Sequence, residues 1–296
     1  MRSLITLLTG SEKNRPASRF LRRFLSNPFA LPAVVMILLF VLIALGTALL
    51  SSFGHQWPCD PNLTNLEQKL LPPSSLHWLG TDNLGRDVLS RMLHGAYISL
   101  TVGVVAVSVS LGIGVLVGAI SGYFGGLTDQ ILMRSVDALL CFPTFFLILT
   151  VVAILGPSLI NIVVIIGLVS WTGTARLVRA EFLTLREAEY VKGARVLGQQ
   201  SWKIIMHHIL PNAAAPILVT AVLGIPDAIL SEAGLSFLGF GVQPPQATWG
   251  NIIADGKTYL LYAWWLNLFP GLAILIASLS FYLAGDALRE AAEGRD

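Results

Sequence analysis

The residues in this chain that could do acid–base or ionic chemistry are few, and they interrupt long apolar runs. Asp137, Asp227, Glu232 and Asp286 all do so. A carboxylate in such a run is costly and faces protein, water or another charge. Two readings stay open for Asp137, Asp227 and Glu232: groups lining or gating a polar path, or partners in structural pairs. Arg134, one helical turn before Asp137, is positioned for such a pair, and Asp286 falls near the end of the last run, where a helix-end role fits. Other signals of chemistry fail on spacing. Gly256-Lys257-Thr258 resembles the end of a phosphate-binding loop, but the glycine required five residues earlier is Asn251. His207 and His208 are adjacent, so on a helix they diverge instead of chelating. No His-Glu-x-x-His or Gly-x-Ser-x-Gly pattern occurs. These residues predict no catalytic centre, no metal site and no cofactor held by this chain.

A second polar stretch is richer. It reads Ala188-Glu189-Tyr190-Val191-Lys192-Gly193-Ala194-Arg195-Val196-Leu197-Gly198, continues to His208, and ends Ile209-Leu210-Pro211-Asn212. From Leu185 to Val196, apolar side chains recur among charged ones, which predicts a short amphipathic helix lying parallel to a membrane. Gly198 permits a sharp turn. Trp202, Ile204, Ile205 and Ile209 begin a second helix, which Leu210-Pro211-Asn212 leads into the next apolar run. A rigid helix–turn–helix with one polar face suits docking into a groove of another protein. A basic loop held by lipid headgroups is the alternative.

The elements that must position these residues follow from composition. Of 296 residues, 54% are hydrophobic and 12% charged, against about 25% charged in ordinary soluble domains. The mean hydropathy is +0.72. Runs near 31–52, 98–121, 131–155, 158–175, 213–231 and 264–284 approach or exceed the ~20 residues that cross a bilayer. They are continuous rather than alternating, so helices are expected and a β-barrel is not. The expected fold is an all-α integral membrane protein with six transmembrane helices.

Arg2, Lys13, Arg15, Arg19, Arg22 and Arg23 precede the first run and place the N-terminus in the cytoplasm. Six crossings return the C-terminus there. On this map only Lys69, Arg86, Arg91 and Lys257, of 19 Lys and Arg, fall outside. The basic start followed by an apolar run reads as an uncleaved first span, given the five that follow. Cys59 and Cys141 fall in different layers, so no disulfide is expected between them. Residues 1–30 form a cytoplasmic lead, 31–291 the membrane domain, and 292–296 a tail. The outer loop 52–97 carries Pro58, Pro61, Pro72 and Pro73, which forbid one continuous helix. Its second half, Leu84 to Leu100, regains helical spacing and is expected to lie along or dip into the membrane surface. Gly114, Gly118, Gly122 and Gly126 recur every four residues, a stripe that permits close helix approach, either as a sliding seam or as routine packing.

The segment after the fourth span resembles the EAA loop of ABC-importer permeases. Gly193 and Ala194 stand at its Ala-Ala positions, Gly198 at its turn and Leu210-Pro211 at its end. Lys192 departs from an acidic position, and Gly193 replaces an alanine at a helix cost of about 1 kcal/mol. Glu189-Tyr190-Val191 is similar to the peptide-permease branch. Leu79-Gly80-Thr81-Asp82-Asn83-Leu84-Gly85-Arg86-Asp87-Val88-Leu89-Ser90-Arg91 resembles the outer segment of the C-type subunit of oligopeptide and dipeptide importers. So do Gly122-Tyr123-Phe124-Gly125-Gly126, Leu235-Ser236-Phe237-Leu238-Gly239-Phe240-Gly241 with Pro244-Pro245, Trp249-Gly250, and the stretch from Trp264-Trp265 to Arg289.

The resemblance implies a permease subunit of a bacterial inner-membrane importer for di- or oligopeptides. Nickel chelate, glutathione or oligosaccharide is the alternative cargo, and a proton-coupled secondary transporter the rival machinery. It implies a homologous second permease subunit, two ATP-binding subunits that hold ATP and magnesium, and an extracytoplasmic binding protein, with membrane lipid around the spans and no nucleic acid. The cytoplasmic coupling helix lies between spans four and five, within 187–210. Glu189, Tyr190, Gly193, Ala194, Arg195, Gly198 and Pro211 are its ATPase-coupling residues. Asp82, Arg86 and Asp87 mark the region expected to meet the binding protein.

Overall fold

The computed structural model describes residues 16–54 and 57–293. Arg2, Lys13, Arg15 and Arg295, the start of the expected lead and the end of the expected tail, lie outside the described residues. Helix α1 (Pro16–Ser26) leads into α2 (Ala30–Ser52). An irregular loop follows, and α3 (Val88–Phe124) runs 37 residues, about 55 Å at 1.5 Å per residue. That exceeds the ~30 Å hydrocarbon core. The segment from Leu84 to Leu100 is not a separate helix lying along the surface; it enters the bundle. From Val88 it is the first part of α3 itself, which the Asp87 carboxylate caps by accepting from the Ser90 N–H at 2.8 Å.

The third expected span is broken. Helices α4 (Gly126–Leu140) and α5 (Thr144–Leu155) meet at an 81° bend. Pro143 precedes α5 and has no N–H to continue the ladder of α4. Helix α6 (Leu159–Leu185) follows, capped by Ser158. The short α7 (Glu189–Val196) and α8 (Ser201–Ile204), a π-turn over Ile205–Ile209, and α9 (Ala214–Phe237) come next. The amphipathic stretch is thus interrupted at Arg186–Ala188, and the expected second helix is one α turn plus one π turn. Helices α10 (Trp249–Gly256) and α11 (Trp265–Glu293) complete the chain. Helices α2, α3, α6, α9 and α11 are long and apolar enough to cross a membrane, and the bent α4–α5 pair makes a sixth span if counted as one. Apart from one bridge between Thr81 and Asp87, no strand pairing occurs among the described residues.

The glycine stripe is a seam between α3 and α6 of this same chain. A Cβ on Gly114 would lie 2.6 Å from the Thr174 Cβ, one on Gly118 2.5 Å from the Ala175 carbonyl oxygen, and one on Gly122 2.6 Å from the Phe182 Cβ. Gly167 returns the contact from α6, where a Cβ would meet Val109 at 2.6 Å. Gly126 is not part of the seam: a Cβ there meets nothing within 4 Å, and its φ of +57° serves the turn into α4. Small residues let these two backbones pack without a side-chain layer between them. Helix α9 lies against α3 at Gly103 and against α11 at Gly285.

Candidate functional site

Three places on this scaffold carry the polar residues: a cap at one end, a cavity in the body, and the α7–α8 segment at the other end.

The cap is folded around buried charges. Asp82 accepts from the backbone N–H of Leu84 (2.8 Å) and Arg86 (2.9 Å) and from Arg86 Nε (2.6 Å). Arg91, 2% exposed, lies 3.5 Å from Asp82 through Nε and 3.5 Å from Asp255 through Nη2. Arg86 Nη2 donates to Asp255 at 3.1 Å, which ties the loop to α10. Burial pushes the Asp255 carboxyl up, while Arg91 and Arg86 pull it back down. His77 Nδ1 sits 2.9 Å from Asp87, and the indole N–H of Trp265 donates to the Thr81 carbonyl at 3.1 Å. Asp82, Arg86 and Asp87 are therefore turned inward. Each is less than a tenth exposed and bonds within the cap. Cys59 rests on Ser90, with Sγ and Oγ 3.0 Å apart, and burial raises its thiol pKa.

Glu232 of α9 is also a tie to the cap. It is 1% exposed and accepts from Ser236 Oγ at 2.6 Å and from Thr248 Oγ1 at 3.0 Å. Thr248 in turn caps α10 in a reciprocal box with Asn251. This carboxyl holds α10 onto α9 and does not line the cavity.

The cavity, about 450 Å³, opens between α3, α4, α5, α6 and α9, with Ser110, Thr172, Thr174, Thr220, Asp227 and Ser231 among its walls. Asp227 accepts from the Tyr282 hydroxyl of α11 at 2.7 Å. Asp137 does not pair with Arg134. It accepts from Arg176 Nη2 at 2.6 Å, a residue one helix away on α6. The i,i+3 spacing was met by a longer-range partner of the same charge. The Asp286 side chain forms no hydrogen bond or ion pair among the described residues.

The segment is half plug, half open face. Val191 and Ala194 of α7 are buried in one apolar cluster with Tyr123 of α3, Val178 and Phe182 of α6, and Ile204, Ile205 and Ile209. The Arg195 guanidinium lies 5.5 Å over the Tyr123 ring. Gly198, φ +77°, closes α7: its N–H donates to the Arg195 carbonyl at 3.0 Å, and that of Gln199 donates to the Ala194 carbonyl at 3.1 Å. His208 Nε2 and Gln199 Oε1, 2.9 Å apart, fasten the turn to the π-turn. Glu189, Tyr190, Gly193 and Pro211 are exposed, as are Val196 (87%), Leu197 (83%) and Trp202 (63%).

Beneath this segment sits a clamp that the sequence reading missed. Arg179 of α6 donates through Nε (2.5 Å) and Nη2 (2.6 Å) to both oxygens of Asp129 in α4, and Ser121 of α3 donates to the same carboxylate. Arg186 Nη1 donates to the Gly122 carbonyl at 3.0 Å. The C-terminal ends of α3 and α6 and the start of α4 are thereby tied to one another beneath α7.

Comparison with known proteins places the chain in a family. Residues 114–295 match the family described as the binding-protein-dependent transport system inner membrane component, and residues 15–73 match the N-terminal transmembrane domain of oligopeptide transport permease C. The chain is 42% identical over 265 residues to a dipeptide transport system permease protein of Alkalihalophilus pseudofirmus, covering 90% of this chain and 85% of that one. It is 40% identical to an oligopeptide transport system permease protein of Bacillus subtilis (91% and 86% covered). A glutathione transport system permease protein of Pectobacterium atrosepticum is 37% identical (98% and 95% covered). In fold, the chain is similar to the MetNI methionine ABC transporter in an inward-facing conformation, with a TM-score of 0.52 at 17% identity, covering 67% of this chain and 95% of that one.

Proposed function

The chain belongs to the binding-protein-dependent transport inner-membrane components, in their oligopeptide and dipeptide permease branch, and from that premise we propose that it carries peptides across a bacterial inner membrane, driven by ATP hydrolysed on partner subunits. It forms one half of the pore with a homologous permease and has no ATPase site of its own. The α7–α8 segment faces the cytoplasm, where two ATP-binding subunits holding ATP and magnesium dock on it. The cap faces outward to a substrate-binding protein. Both termini are cytoplasmic.

One observation carries this reading. The short helix α7 buries Val191 and Ala194 in the core shared by α3 and α6 while its end exposes Val196 and Leu197, and Trp202 of α8 is exposed beside the same turn. An element with one face set in the transmembrane bundle and an apolar face left open is built to be moved by whatever covers that face. ATP binding, by favouring one arrangement of the partners over the other, then biases the bundle between two states. Glu189 and Tyr190 lie at the exposed start of α7, Gly193 leaves room on its surface, Arg195 bridges to α3, and Gly198 and Pro211 set the two turns. The cap meets the binding protein through the surfaces that Asp82, Arg86 and Asp87 hold in shape.

Labelled di-, tri- and pentapeptide uptake, in cells with and without the chain, tests both cargo and energy source. The reading predicts uptake that needs the chain, fails on ATP depletion and survives a proton uncoupler. The opposite sensitivity contradicts it and favours a proton-coupled carrier. ATP-driven uptake of glutathione but not of peptides would reassign the cargo within the same machinery, as the glutathione-permease relative suggests.

A further inference from the structure

The cavity beside Asp227 holds a negative charge without a counter-charge. Within the helical bundle Asp129 is met by Arg179 and Asp137 by Arg176. Glu232 is sealed between Ser236 and Thr248. Asp227 is exposed on the cavity wall, takes one hydrogen bond from Tyr282, and forms no ion pair among the described residues; Asp286 also forms none but does not line the cavity. A carboxylate inside a membrane protein faces a water-filled path or a partner charge. The cavity wall supplies hydroxyl oxygens from Ser110, Thr172, Thr174, Thr220 and Ser231, and no Lys, Arg or His. Such a wall attracts a cation and gives it oxygen acceptors.

The chemistry favours an organic cation over a metal. A hard metal ion takes six or more oxygens in a defined geometry, and one carboxylate on this wall is a sparse set for it. No group of three His, Cys, Asp or Glu suited to a metal occurs among the described residues. A volume of about 450 Å³ falls within the size of small-molecule sites. A primary ammonium fits: three donors, one for the carboxylate and the others for hydroxyls. Peptides carry this group at the N-terminus.

We infer that Asp227 is a station for the ammonium group of the cargo within the membrane, holding it between release from the outer side and exit to the cytoplasm. This inference rests on the peptide-permease reading. The station is a specificity-determining contact of the pore itself, separate from any selection made by a binding protein.

The test uses the whole transporter, with its partner subunits and binding protein, in proteoliposomes, with labelled trialanine as the probe. The readout is peptide delivered per ATP hydrolysed. Asp227→Asn keeps an oxygen to accept from Tyr282 and removes only the charge. The ratio is expected to fall about tenfold, the scale of one charge-assisted hydrogen bond, and to recover within about threefold in Asp227→Glu. Should Asp227→Asn fail to assemble, Ser231→Lys sets a fixed ammonium one helical turn away and should lower the ratio more than Ser231→Met, which has similar bulk and no charge. An unchanged ratio in Asp227→Asn, or equal losses in the two Ser231 variants, overturns the station while peptide transport stands. A wild-type transporter that delivers no trialanine with ATP overturns both.

Discussion

The cap and the α7–α8 segment solve opposite problems with the same residue types. In the cap, charges are buried and pair with one another across Asp82, Arg86, Arg91 and Asp255, and glycines sit where a side chain cannot. A Cβ on Gly85 would lie 1.7 Å from the Asn65 carbonyl oxygen. In the segment, charges are exposed, Val196, Leu197 and Trp202 point outward, and an added Cβ on Gly193 or Gly198 would meet nothing within 4 Å. The cap satisfies its polar groups internally and gains a fixed shape. The segment leaves one face incomplete, which is the condition for docking. Between them, α3 reaches the cap at Val88 and the α7 cluster at Tyr123, so one helix joins both.

This contrast can be broken or sharpened by substitution. The largest loss of stability is expected from Gly85→Ala, which combines a left-handed φ of +72° with a backbone clash. The two together cost about 3 kcal/mol or more, and thermal unfolding of the purified protein should show it first here. Asp129→Asn comes next. It removes the charge from a bidentate clamp, at about 1–3 kcal/mol, and should lower uptake as well, because the helix ends beneath α7 come loose. Gly198→Ala is smaller, about 1–2 kcal/mol, all of it from φ, since there is space for the methyl group. Gly198→Asp is expected to abolish uptake while membrane insertion persists, and normal uptake by that variant would remove the turn from the coupling account. Smallest in stability is Leu197→Ser, within about 0.5 kcal/mol as for an exposed site, though its effect on uptake should be large. If Gly198→Ala instead destabilised more than Gly85→Ala, the distinction between a packed cap and an open segment would collapse.

The sequence made the spans legible because continuous apolar runs and flanking charge are local signals, and the turn at Gly198 is local too. It did not show which apolar residues of the segment are covered: Val191 and Ala194 are buried, while Val196 and Leu197 are exposed. What it hid depends on distance along the chain. Asp129 gave no sign, since its partner Arg179 lies 50 residues away. Asp137 had an Arg at helical spacing and used Arg176 instead. The bend at Pro143 was masked by apolar residues on both sides, which read as one run. Asp82, Arg86 and Asp87 mark the region expected to meet a binding protein, yet their side chains are buried. Only the fold of that loop around Asp255 and Trp265 turns them inward. Asp227 and Glu232, five residues apart on α9, read alike in sequence and differ in what packs against each.

The central claim is that the open face of α7 is where ATP-driven motion enters the bundle. The most direct measurement pairs Val196→Ser/Leu197→Ser with the unaltered chain and records three things: melting temperature, co-purification of the ATP-binding subunits, and ATP-driven peptide uptake. The account predicts an unchanged melting temperature with both association and uptake lost. Full association and uptake in the doubly substituted chain would contradict it.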